Sequence, residues 1–181
     1  KENDKRIRSR MVSIEPGRFI LVTGQTAEAA LSKAEQVYGI LDELKAQGAL
    51  TEYFGLFPWL LSSQQQIQNQ QYLKEYLTED RLNAWKNALS KQGLSIERLG
   101  RLDYPEATPL TLQQVLDSPV KRLIDSRIIE TGKKTLIMIW IAEHQPEILR
   151  LTFERMEGAS YFSQRDLLNS MASDYLQQAQ R

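Results

Sequence analysis

Two segments far apart in the chain, Phe19–Val22 and Leu136–Ala142, are apolar at every position. A strand with one wet face alternates apolar and polar residues, so unbroken apolar runs of this length predict strands lying inside a sheet. A fold for this chain has to bring the two segments together and treat what lies between them as connection or addition.

The intervening patterns supply the other elements. Thr23-Gly24 closes the first strand and Thr26 caps a helix in which Ala30, Ala34, Val37, Leu41 and Leu44 recur at three- and four-residue spacing until Gly48. Ala49 to Leu56 reads as a weaker strand. A glutamine-biased tract, Gln64 to Gln71, predicts a helix with a solvated polar face and Ile67, Tyr72 and Tyr76 as its apolar anchors. Thr78-Glu-Asp opens another, with Leu82, Trp85 and Leu89 on one face, and Ser95 to Leu102 reads as a short one. Thr111 to Gln114 matches a capping box. Ile128 and Ile129 lead through Thr131-Gly132-Lys133, a hairpin turn, into Leu136–Ala142. Pro146 starts a helix with Ile148, Leu149, Thr152, Phe153 and Met156 inward; Ala159 to Phe162 is a short strand. Ser163 to Asp166 caps a last helix, with Leu167, Leu168, Met171 and Tyr175 inward.

The expected architecture is therefore α+β: a split βαβ sheet of ferredoxin-like order, with helices on one face and a helical insertion, about residues 62–118, at its midpoint. The two apolar segments take its central positions, buried on both sides, and the two weaker strands its edges. Residues 1–17 read as a hydrophilic, mainly basic leader and 18–181 as one domain.

Composition narrows the function. Lys plus Arg and Asp plus Glu number 23 each, which removes the electrostatic footprint of a general nucleic-acid binder. No apolar run approaches the roughly 20 residues that span a bilayer. With no cysteine and one histidine, a His/Cys metal site is excluded, while a carboxylate-only site stays open. The nine glycines form neither a P-loop nor a dinucleotide-binding turn. His144 reads as an exposed loop residue, and the Glu79/Asp80 pair as a complement to a helix dipole. The expectation is no enzyme, with no catalytic, cofactor or metal residues assigned. The interaction candidate is the aromatic run Tyr53, Phe54, Phe57, Trp59 and Leu60, as a cargo or partner surface, although core packing is the commoner role for such residues.

Phe19-Ile-Leu-Val-Thr-Gly24, Glu28-Ala-Ala-Leu-Ser-Lys-Ala-Glu35, Leu41-Asp-Glu-Leu44, Gly48-Ala-Leu-Thr-Glu-Tyr53, Trp59-Leu-Leu-Ser-Ser-Gln64 and the stretch from Pro109 to Val120 form an ordered set. Together they resemble the second large extracytoplasmic loop of exporters of the MMPL family, within the RND superfamily. Leu61 stands where that family usually carries proline. The resemblance implies a porter-type periplasmic domain of a proton-driven exporter in a bacterial inner membrane, moving lipid-like or other hydrophobic cargo. It implies as partners the rest of the parent transporter, including its other periplasmic domain, and no nucleic acid. The proton-carrying acids would lie in membrane helices outside this sequence. A free-standing protein-interaction module and a lipid-ester hydrolase are the alternatives.

Overall fold

The first apolar segment lies in strand β1 (Arg18–Gly24) and the second in β4 (Thr135–Ile141), and the two are antiparallel neighbours with Ile20 opposite Ile139 and Val22 opposite Ile137. The computed structural model describes residues 17–57, 59–94 and 107–179. Among these the chain is α+β, with a five-stranded, wholly antiparallel sheet and seven α-helices. β5 (Ala159–Ser163) pairs with the free side of β1. The free side of β4 is shared: β3 (Ile128–Glu130) pairs with its first half through the expected hairpin, and β2 (Tyr53–Phe54) with its end.

Burial of the central strands differs from the expectation. Ile20, Val22, Ile137, Ile139 and Ile141 are fully buried, whereas Phe19, Leu21, Leu136, Met138 and Trp140 are only half-buried. The inner face carries the β-branched residues, and the other carries bulkier, unbranched and aromatic side chains. The weak strand is also shorter than its sequence suggests. Only Tyr53 and Phe54 pair as strand, while Leu50 makes a single bridge to His144 and the Ala142 N–H donates to Glu52 O.

The chain divides into two compact units, one of residues up to 62 together with those from 112 onward, the other of residues 63–111. The first holds the core. Helix α1 (Ala27–Ala46) starts where Thr26 Oγ1 accepts from the Ala29 N–H at 3.1 Å, and buries Ala30, Leu31, Ala34, Val37, Tyr38, Leu41 and Leu44. Small residues let it lie close to β1. A Cβ on Gly24 would fall 2.3 Å from the Ala30 backbone nitrogen, so the strand end and the helix touch backbone to backbone.

In the second unit, α2 (Ser63–Tyr76) and α3 (Glu79–Lys91) bury no side chain. Ile67, Tyr72, Tyr76 and Trp85, expected as anchors, are exposed. The glutamine tract is not merely solvated: Gln66 accepts from the Leu110 N–H at 2.8 Å and donates to Leu110 O at 2.9 Å, and Gln70 donates to Ala107 O at 2.9 Å. An amide side chain can thus mimic a strand neighbour, and two of them one helical turn apart hold an extended segment.

The insertion ends earlier than position 118, because α4 (Leu112–Leu116) belongs to the first unit and buries Leu112 and Val115 in its core. A further short helix, α5 (Lys121–Ile124), and one turn of 3-10 helix (Asp125–Arg127) follow, burying Ile124. In α6 (Pro146–Glu154) Leu149 and Phe153 point inward while Ile148 does not. Ser163 Oγ accepts from the Asp166 N–H, as a cap should, at the start of α7 (Gln164–Ala179). The expected inward stripe of that helix is exposed instead: Leu167, Leu168, Met171 and Tyr175 lie between 47% and 72% accessible. The helix read at Ser95–Leu102 and leader residues 1–16 lie outside the described residues.

Candidate functional site

The five residues singled out by sequence, Tyr53, Phe54, Phe57, Trp59 and Leu60, do not form one surface. As neighbours on a strand, Tyr53 and Phe54 point to opposite faces of the sheet. Tyr53 stacks on Tyr38 of α1, with ring centroids 5.8 Å apart and planes at 13°, and its hydroxyl donates to Asp42 at 2.8 Å. Leu60 is 3% accessible and packs in the core, so it is corrected from surface to anchor. Phe57 and Trp59 remain, at 53% and 48% accessible.

What holds those two aromatics outward is a turn clamped onto one face of α1. Leu56 and Leu60 are buried one turn apart, and the Trp59 and Leu60 N–H groups both donate to Leu56 O, at 2.7 and 3.2 Å. Upstream, the Leu56 N–H donates to the buried Tyr38 hydroxyl at 2.9 Å. This approach requires Gly55, since a Cβ there would lie 2.3 Å from Tyr38 Oη. Downstream, Ser62 donates to Glu35 through both its N–H, at 2.6 Å, and its Oγ, at 2.7 Å. Glu35 and Tyr38 are three residues apart and so share a helix face. The loop therefore presents Phe57 and Trp59 from a fixed base, and little ordering entropy remains for a partner to supply.

The electrostatics around this base are set by burial and by short hydrogen bonds. Burial pushes the Tyr38 hydroxyl above its ordinary range. Burial does the same to Tyr53, reinforced by its hydrogen bond to the Asp42 carboxylate. The hydrogen bond from Lys45, at 2.6 Å, holds the Glu52 carboxyl below its usual range. Both tyrosines are raised, so the stability they contribute is complete below their unfolded value, near pH 10, and is lost as pH climbs through the folded values. Urea denaturation should accordingly show stability falling as pH rises from about 9.5 to about 11. The Tyr53→Phe variant should flatten that fall, and an equally steep fall in the variant would discount the assignment.

His144 is not the exposed loop residue its position suggested. It is half-buried, with Nδ1 2.6 Å from Ala142 O and Nε2 2.9 Å from the Tyr161 hydroxyl. A carbonyl can only accept, so Nδ1 carries a proton, and in the neutral ring Nε2 then accepts from Tyr161. These bonds tie the end of β4 to β5. Among the described residues no group of three or more His, Asp or Glu side chains could hold a metal ion.

A second surface was not legible in the sequence. Strand register aligns Phe162, Phe19, Trp140 and Phe54 in one row across four strands, on the sheet face opposite the buried isoleucines. Phe19 stacks on Phe162 at 4.7 Å and meets Trp140 edge-on at 5.4 Å. Each residue alone reads as ordinary strand filling, and only the register shows that they converge. No protein-family model, characterised protein or solved structure matches the chain.

Proposed function

We propose that this chain is a porter-type periplasmic domain of a proton-driven exporter of the MMPL kind, seated in a bacterial inner membrane, and that it aids the passage of hydrophobic or lipid-like cargo by changing conformation. The observation that carries this reading is the strand order β5-β1-β4-β2, antiparallel throughout, with α1 and α6 supplying the core of one face. That order supports reading the sheet as split βαβ and ferredoxin-like, interrupted at its midpoint by the helical insertion. Two further features support the function. The aromatic row on the opposite sheet face offers a packing surface to another domain of the parent, and the clamped pair Phe57 and Trp59 offers apolar contacts to cargo or partner. No helix among the described residues is long and apolar enough to cross a membrane, so on this reading the spans and the proton path lie elsewhere in the parent.

The encoding gene is then expected to specify an apolar segment of about 20 residues on each side of this sequence. In the parent, the joint replacement Phe57→Ser and Trp59→Ser should lower export several-fold with the domain still folded. Hydrophilic flanks, or export unchanged by the double replacement, would remove the proposal.

A further inference from the structure

The second unit contains an apolar groove with a cation at its edge. Tyr76, Leu77, Arg81, Leu82, Ala84 and Trp85 line a space of about 500 Å³ where α2 turns into α3. Ligand pockets run from about 300 to 1,000 Å³, so this one has room for a small amphiphile. Tyr76 and Trp85 are 51% and 42% accessible, although large aromatics gain most from burial.

Arg81 sets the chemistry. Its guanidinium lies 4.2 Å from the Tyr76 ring centroid, and one N–H donates to Tyr76 O at 3.1 Å. Of its five N–H donors the others find no acceptor, and no carboxylate lies within ion-pair reach of it, among the described residues. The nearest acids in sequence, Glu79 and Asp80, precede it by two and one residues. A helix turns those positions at least 100° away, so they do not neutralise it. The result is a planar cation held against an aromatic face at the rim of an apolar trough. That combination suits a carboxylate head with an alkyl tail: the guanidinium fork pairs with the two oxygens, and the tail covers Leu77, Leu82 and Trp85.

We infer that the α2–α3 groove binds single-chain anionic amphiphiles of the fatty-acid class, one per chain, with the carboxylate on Arg81. This deepens the export reading, on which it rests for its physiological meaning, by giving the cargo a chemical class. Its test does not pass through transport, however. A parent that exports nothing while this chain still binds the amphiphile would sink the function, and absent binding with export intact would sink the site.

The probe is monomeric dodecanoate, titrated into the 181-residue chain by calorimetry below its micelle concentration. One saturable site is expected. Shortening the tail should weaken binding about two- to fourfold per methylene removed. Arg81→Gln should weaken it at least about tenfold, the value of a charge-assisted pair. Trp85→Ser should weaken it as well, and dodecyltrimethylammonium should not bind. Both substituted positions are solvent-exposed, and an unchanged circular dichroism spectrum checks that each variant is folded. Non-saturating uptake, an Arg81→Gln affinity equal to the parent's, or equal binding of the cationic amphiphile would overturn the inference. So would binding to phosphatidylglycerol vesicles without binding to monomeric dodecanoate, because the ligand would then be a membrane surface.

Discussion

The Gly24→Ala variant is expected to lose about 3 kcal/mol of folding free energy. For a chain of this size that corresponds to a fall of about 6–12 °C in melting temperature. The added methyl carbon would sit 2.3 Å from the Ala30 nitrogen, 2.7 Å from its Cα and 2.8 Å from the Ala29 carbonyl carbon. All three are backbone atoms of the first turns of α1, so no side chain can swing aside. Either α1 lifts from the end of β1 or the strand end shifts out of register with Thr135, its partner on β4. Lifting α1 would loosen Ala30 and Ala34, which are fully buried because the helix lies so close. The same substitution at Gly39 is the control. That glycine is exposed in the middle of α1, and an added methyl there would meet nothing within 4 Å, so Gly39→Ala should stabilise by about 0.5–1 kcal/mol. Paired urea melts measure both. A Gly24→Ala cost below about 1 kcal/mol would show that the helix adapts freely, and would remove close backbone contact as the reason for glycine there.

The sheet was legible because its two central strands announce themselves by composition, and because helix α1 carries both a capping threonine and an unbroken apolar stripe. Hairpin, α6 and β5 follow from turn residues and proline. What failed is more informative. The apolar positions of α3 and α7 have the same spacing as those of α1, yet no side chain of α3 is buried and the stripe of α7 lies exposed. Periodicity reports that a helix has an apolar side; whether anything covers that side is a property of the rest of the fold. The candidate site split for a related reason. Tyr53 to Leu60 is contiguous in sequence, but a strand sends Tyr53 and Phe54 to opposite faces, and a turn sends Leu60 in and Trp59 out. The clamp from Glu35 and Tyr38 joins residues far apart in sequence, as does the aromatic row, so neither left a local signature. Two glutamines one turn apart could have hinted at the Gln66 and Gln70 contacts, but nothing in the tract named their partner.

Phe153→Ala puts the distinction between covered and uncovered stripes to a direct test, and it is expected to cost about 4 kcal/mol. Phe153 is 1% accessible and among the largest fully buried side chains, packed in the same core as Ile20, Val22, Leu41 and Ile139. Truncating it removes an aromatic ring's worth of buried surface and leaves a cavity that neighbouring strands, pinned by their ladders, cannot fill. Since domains are stable by only about 5–15 kcal/mol, such a loss consumes a large share of the total. Leu168→Ala and Trp85→Ala, equally apolar in sequence and similarly spaced on their helices, should each change stability by less than about 0.5 kcal/mol, because both side chains are exposed and neither belongs to the core. Denaturant titration of the three variants separates the cases. If Leu168→Ala or Trp85→Ala cost as much as Phe153→Ala, those faces would be packed in solution, and in the case of Trp85 the open groove on which the ligand proposal rests would not exist. A Phe153→Ala cost under about 1 kcal/mol would instead place the core elsewhere than between the inner sheet face and helices α1 and α6.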